Sequence, residues 1–386
     1  MDTVEILILV LLLLGLYPFT IYPFLIFILS KIFKKEIRKA NHFEEPYVSI
    51  VVPVFNEEEN IEEIVQSIKN SSYPLSKIQL IFGSDGSTDS TNKILEKVAI
   101  ENNFVEYYIF PRNGKNFVLN RLLEKANHEI ILFLDADIRI TKGLLHKIVA
   151  YFSDENVGGV LTNIIITKNH KSNYQNEEHQ TQKFFTNIRK WESEIFATVN
   201  NTGPCYAARK SLLSPIPNDK VCDDFYILLK IISKGKRMVV AEDCIVFDIR
   251  QRDDVWKEYH RKKRFSAGGI SAILAVPEIF SHPILLFMIF SHKILRWLSP
   301  IFIFLAIILA FLSNLILIKF LLLFVIVLFL LLVLFGTVKM KTHKQPIALF
   351  SFPLYIFLST AGTVAGIIRA ILGKRNASWT LEKLEN

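Results

Sequence analysis

After Glu5, as far as Ser30, the chain carries no charged side chain, and more apolar stretches follow near its far end. A helix needs about 20 apolar residues to cross the hydrocarbon of a bilayer. Residues 4–30 are therefore long enough to span. A cleaved signal peptide would have a basic start, a shorter apolar core and a small-residue cleavage site. Here the start is acidic, with Asp2 and Glu5, and the core is too long, so residues 1–30 read as an uncleaved transmembrane helix. The basic linker over 31–46 opens with Lys31, Lys34, Lys35, Arg38 and Lys39. Lys and Arg next to a span mark its cytoplasmic side, which puts the region that follows inside the cell.

Three apolar segments, at 297–318, 320–338 and 347–372, make 297–373 a C-terminal transmembrane region of about three helices. The loop at 339–346 is basic and is expected on the cytoplasmic side. Pro353, Gly362 and Gly366 allow the last segment to bend or pack closely on a neighbour. Residues 251–296 read as a basic, amphipathic interfacial region, because 275–290 carries two prolines. The tail is 374–386. A simple count of crossings puts it outside, while Lys374 and Arg375 favour the inside.

The 31 phenylalanines gather at the two ends, and the central part reads differently. Its three cysteines, Cys205, Cys222 and Cys244, lack the spacing of a zinc site or a disulfide scaffold and suit a reducing cytosol. The net charge of +8 next to so much apolar sequence points to anionic lipids and phosphorylated substrates. Nucleic acid is not expected as a partner, since the basic run adjoins the apolar spans and has no interleaved aromatics.

Over 47–250 short apolar runs alternate with helical periodicity. Strands are expected at 47–55, 78–83, 104–110 and 129–134, and helices at 57–68, 90–101 and 116–126. The first helix puts Ile61, Ile64, Val65 and Ile68 on one face. This alternation predicts an α/β fold with a mostly parallel sheet and helices on both faces. Ligands of such folds bind beyond the carboxyl ends of the strands.

A polar stretch follows each strand. "PVFNEEEN" (53–60) has Pro53 at the strand exit, then Phe55, Asn56 and Glu57; it reads as an Asn cap with acids at a helix start. "GSDGSTDST" (83–91) is a capped turn, or places Asp85 to accept from a nucleobase imide. "PRNGKN" (111–116) brings Lys115 to a helix start, as a surface cation or a phosphate ligand. "DAD" (135–137) sets Asp135 and Asp137 on one side, as a solvated turn or a seat for a hard divalent cation. Further on, "NTGPCYAARKSL" (201–212) contains Gly203, and "VCDDFYILLKIISKGKRMVV" (221–240) begins with an acidic pair.

With these stretches in place, residues 48–250 resemble the GT-A domain of glycosyltransferase family 2, the inverting nucleotide-sugar transferases. "VSIVVPVFNEEENI" matches the family's opening motif, "SDGSTD" its acidic nucleotide motif with Ser84 where Asp is more usual, and "DAD" its metal motif. The resemblance implies that Pro53, Phe55, Asn56, Glu57 and Asp85 bind the nucleotide and that Lys115 lies near the donor phosphates. It implies that Asp135 and Asp137 serve a Mg²⁺ or Mn²⁺ ion and the sugar. It puts Asp224 at the catalytic base with Asp223 beside it, and Gly203 on the acceptor side. Cys222-Asp223-Asp224 stands where Thr-Glu-Asp is usual. The basic run Glu258–Gly269 matches the Gln-x-x-Arg-Trp motif of the processive synthases at Arg264 only, with Arg261 for Gln and Phe265 for Trp. Arg264 is then expected to hold the diphosphate and Phe265 to face the acceptor, while the departures speak against cellulose-like or hyaluronan-like synthesis. "FSHKILRWLSP" (290–300) and "ASWTLEK" (377–383) resemble the membrane-embedded members.

The expected function is transfer of a sugar from a nucleotide-sugar donor, UDP-linked by expectation, to a lipid-linked or polysaccharide acceptor at the cell membrane. Two alternatives stay open: a polyprenyl-phosphate glycosyltransferase, and a catalytically silent membrane subunit that binds nucleotide sugars.

Overall fold

The structure, a computed structural model, describes residues 3–39, 44–166, 173–201, 203–218, 222–249, 256–313, 316–341 and 348–373. Most of the basic loop at 339–346 and the tail stretch at 377–383 lie outside the described residues.

The N-terminal apolar stretch forms α1 (Thr3–Leu16) and α2 (Ile21–Ile32), bent by 47°. The single helix expected there is thus broken. Pro18 sits in the 3₁₀ turn Tyr17–Phe19, and a residue with a fixed φ and no N–H interrupts a regular helix.

The central region runs β1 (Val48–Val54), α3 (Ile61–Lys69), β2 (Ile78–Asp85), α4 (Thr91–Glu101), β3 (Val105–Phe110), α5 (Lys115–Lys125), β4 (Ile130–Leu134) and β5 (Ile138–Ile140). It continues with α6 (Leu144–Tyr151), β6 (Val157–Ile166), α7 (Asn173–Ile195), β7 (Cys205–Arg209), α8 (Asp223–Ser233) and β8 (Arg237–Asp248). The strands form one sheet in the order β3-β2-β1-β4-β7-β6-β8-β5. The four strands legible in the sequence are mutually parallel, whereas β7 enters antiparallel to both β4 and β6.

Alternate side chains of a strand face opposite ways, and here both faces are covered. Ile50, Val52 and Val54 of β1 join a cluster with Ile61, Ile64, Val65 and Ile68 of α3. Val51 faces the other way, into a cluster with Val118 and Leu122 of α5 and Phe225 and Leu228 of α8. Pro53 pairs with Gly83 of β2, but pairing with β4 stops at Val51, so its missing N–H costs no ladder bond on that side.

Five more helices follow among the described residues: α9 (Trp256–Leu274), α10 (Pro283–Ile289), α11 (Leu295–Leu312), α12 (Ile316–Lys341) and α13 (Ala348–Ile371). A π turn at Phe290–Ile294 joins α10 to α11. Pro283–Leu312, Lys319–Val338 and Phe352–Ile371 are each long and apolar enough to cross a membrane, and the bent α1–α2 pair passes the same test as one unit. The interfacial region expected to reach residue 296 therefore gives way to a helix at Pro283. Pro277 and Pro283 each open a helix, where a missing N–H is no loss.

Helix α13 packs along α9 through Gly362 and Gly366. A Cβ at either position would run into the α9 backbone at Tyr259 or Lys263, the small-residue contact expected of close helix packing. The Ser266 hydroxyl donates to the Thr363 carbonyl at 3.1 Å in the same seam. Through α9, helix α13 is tied to α8 of the central region.

Candidate active site

The loops after β1 and β2 are laced together. Asn56 is not the expected helix cap. It adopts φ +53°, its side-chain oxygen accepts from Thr88 N at 2.9 Å, and α3 starts later, at Ile61. Glu57 N donates to Thr91 Oγ1 at 2.8 Å. The Arg112 guanidinium lies 3.4 Å from the Phe55 ring centroid and donates to Asp85 Oδ2 at 2.7 Å. The Asn113 and Gly114 amides donate to Asp85 Oδ1 at 2.8 and 3.0 Å. Asp85 is fully buried. Its carboxylate, expected to meet a nucleobase, holds the loop that presents Lys115.

Lys115 is the first residue of α5, an unfavourable place for a cation beside the positive end of the helix dipole. Carboxylates compensate. Its Nζ is 2.9 Å from Asp135 Oδ1 and 3.3 Å from Asp223 Oδ2. Burial works against the ammonium, but Asp135, Asp223 and Asp224 more than offset it and raise the Lys115 pKa. Asp223 and Asp224 form the first turn of α8, where the dipole favours anions. Burial first, and the Asp223 carboxylate second, push Asp224 up to about 6, against the pull of Lys115.

The loop carrying Gly203 joins these elements. Asp135 N donates to Pro204 O at 2.9 Å, and Asn201 Nδ2 donates to Asp224 O at 2.9 Å. Gly203 has φ +85°, and a Cβ there would stand 3.2 Å from Asp224 Oδ2. The position demands glycine twice over, by backbone and by space. Gly203→Ala is expected to displace the Asp224 carboxylate and lower turnover by about tenfold with a smaller change in donor affinity; steady-state kinetics on the purified protein check this.

Asp135, Lys115, Asp223, Asp224 and Gly203 line one cavity of about 1770 Å³, together with Arg112, Arg264 and Phe265. Phe265 is exposed, and its carbonyl accepts from Cys222 Sγ at 3.8 Å, which ties α9 to the start of α8. Pro53, Phe55, Asn56 and Glu57 do not line this cavity; Phe55 reaches it through Arg112. Asp137 does not line it either, but Asp248 does. The two meet across the β5–β8 ladder, where Ile138 faces Asp248 and Ile249 N donates to Asp137 O at 3.1 Å.

Among the described residues no three His, Cys, Asp or Glu side chains are grouped to hold a metal. The donor set still suits Mg²⁺ or Mn²⁺. Such ions take hard oxygens and are commonly held by one or two carboxylates plus substrate phosphates; Asp135 and Asp248 line the cavity, and Asp137 follows Asp135 by two residues. Arg112 and Asp248 are residues that reading the sequence passes over. Arg112 lies inside the "PRNGKN" stretch, and a cation there was signal enough; Asp248 carries no local signal, because only the sheet brings β8 to β5.

Residues 49–216 match the model of the family described as Glycosyl transferase family 2. A probable glycosyltransferase, YdaM of Bacillus subtilis, is 24% identical over 256 residues, covering 63% of this chain and 60% of YdaM. The aligned stretch is thus less than two thirds of that relative. A GalNAc(5)-diNAcBac-PP-undecaprenol beta-1,3-glucosyltransferase of Campylobacter jejuni is 25% identical over 221 residues, covering 54% of this chain and 67% of the relative. Among solved structures, the mannosyltransferase PcManGT from Pyrobaculum calidifontis, in complex with GDP-Man and Mn²⁺, superposes with a TM-score of 0.68 at 21% identity, over 95% of this chain and 99% of that one. The motifs, the GT-A fold and these matches agree: residues 49–216 are a glycosyltransferase domain of family 2.

Proposed function

We propose that this glycosyltransferase is embedded in the cell membrane with its catalytic domain on the cytoplasmic side, and that it inverts the sugar as it moves it from a nucleotide donor, UDP-linked by expectation, to a lipid-linked acceptor. One observation carries the reading. The cavity that begins at Asp135, Asp223 and Asp224 continues between the apolar helices, where Phe304, Phe329 and Phe357 line it. A site with carboxylates at one end and an apolar groove at the other suits a water-soluble donor and an amphiphilic acceptor. The relative from Campylobacter jejuni bears the name of a transferase acting on an undecaprenol-linked glycan, which fits the same picture.

In this reading the acceptor hydroxyl attacks the anomeric carbon and its proton passes to Asp224. The bond to the diphosphate oxygen breaks, and the nucleoside diphosphate leaves. A carboxyl near 6 is ionised at neutral pH and still basic enough to assist. Asp223 and Asp135 hold Lys115, and Arg112 and Arg264 add positive charge to the same cavity. Asp137, with Asp135 and Asp248 nearby, would hold the divalent ion, which when bound supplies charge to the leaving diphosphate.

The test is a donor panel on the purified protein in nanodiscs, reading released nucleoside diphosphate. At least one nucleotide sugar is expected to turn over with Mn²⁺ or Mg²⁺ and to stop with chelator. Asp137→Ala is expected to weaken metal-dependent donor binding by about 10-fold to 100-fold. Donor binding without turnover across the whole panel would instead favour a catalytically silent subunit.

A further inference from the structure

Among the cations that line the same cavity are Arg189, Lys293 and Arg296. Arg189 comes from α7, and Lys293 and Arg296 from the Pro283–Leu312 helix. Lys293 is buried, its Nζ donates to Asn200 Oδ1 at 2.5 Å, and it lies 4.3 Å from the ring of Phe225, the residue after Asp224. Arg296 stacks on Phe185 at 4.5 Å and makes no ion pair or hydrogen bond with a described residue. Arg189 donates through Nη2 to Thr186 Oγ1 at 2.6 Å, while its Nε is buried without a hydrogen-bond partner among the described residues.

The carboxylate that acts on Arg189 and Arg296 is Glu192, and it is already engaged. Glu192 Oε1 accepts from Tyr22 OH at 2.6 Å and lies 2.6 Å from His292 Nδ1. Its Oε2 accepts from Thr198 Oγ1 at 3.0 Å and Val199 N at 3.2 Å. Burial holds the Arg189 guanidinium down to about 10, with Glu192 resisting and Arg296 adding to the push. Cations sharing a low-dielectric cavity repel and are costly unless an anion joins them. Ionisable side chains within an apolar span carry a cost that function repays. Guanidinium groups match phosphate oxygens in geometry.

We infer that Arg189, Lys293 and Arg296 seat a phosphate or diphosphate carried by the acceptor lipid, with its apolar chain running on past Phe304, Ile307 and Phe357. This rests on the transferase reading above and narrows it to an anionic lipid acceptor. The seat binds and positions; no bond changes there. Arg296 and Lys293 stand one turn apart on a helix that enters the apolar layer, so the phosphate sits where the catalytic carboxylates end and the groove begins.

The test is equilibrium binding to the full chain in phosphatidylcholine nanodiscs, using farnesyl phosphate, farnesol and inorganic phosphate as probes. Farnesyl phosphate is expected to bind about tenfold or more tightly than farnesol, and inorganic phosphate to compete weakly. Arg296→Gln is expected to bring the two lipids within about twofold of each other, and Arg296→Lys to restore part of the preference. Arg189→Gln gives the same reading should the first variant not fold. Equal binding of farnesol and farnesyl phosphate, an unchanged preference in both Gln variants, or equally tight inorganic phosphate would each overturn the assignment. Nucleoside diphosphate release on the same preparation separates the two readings. Donor turnover without preference for the phosphorylated lipid overturns the seat alone, whereas phosphate-dependent lipid binding without turnover of any donor counts against transfer.

Discussion

Asp224→Asn lowers turnover by about 10³-fold and leaves donor affinity within about twofold of wild type. The amide keeps the shape of the side chain and its bond from Phe225 N, 2.8 Å in the wild type, but cannot take a proton. A companion result follows from the Asp224 pKa of about 6. The base must be ionised, so the wild-type rate is low below that pH, rises through it, and levels off above it. A pH–rate profile with one ionisation near 6 in the wild type, absent from the residual activity of the Asn variant, checks both.

Lys115→Gln has the second large effect. Its ammonium holds Asp135 and Asp223 together at 2.9 and 3.3 Å, and without it three carboxylates share one cavity. Removing one partner of a buried ion pair costs about 3 kcal/mol. The loss is greatest above about pH 6, where Asp224 is ionised, and shrinks as pH falls and Asp224 takes up a proton. Because Lys115 pulls the Asp224 pKa down, the midpoint of the pH–rate profile moves upward in the variant. Donor affinity is expected to fall too, since the cation proposed to face the donor diphosphate is gone. Thermal melts at about pH 5 and pH 8, with the rate profile, measure the shift.

Much of this is legible in the residues themselves. The apolar face of α3 and the strand exits at Pro53, Asp85 and Asp135 follow from local pattern, because short-range periodicity decides them. Gly362 and Gly366 announce a close helix contact for the same reason. What escapes is long-range. Asp85 resembles a ligand-facing acid, yet its burial commits it to the Arg112–Gly114 loop, and only the β2–β3 pairing shows this. Asp248 reaches Asp137 through a β5–β8 ladder that closes over a hundred residues later. Arg189 and Arg296 meet in one cavity from distant helices. Lys293 and Arg296 stand out within an apolar stretch, and their cost there was the available signal. The break at Pro18 was also written in the chain, but hydropathy averages across it.

The account stands on carboxylates at 135, 223 and 224 acting beside an apolar groove. The direct measurement is partition of label: protein in nanodiscs with extracted membrane lipids, a nucleotide sugar labelled in the sugar, and Mn²⁺. The account predicts that label enters the organic phase in proportion to enzyme and time, and that Asp224→Asn prevents it. A protein that turns over the donor while all label stays in water, or an Asn variant that labels lipid at the wild-type rate, would contradict it.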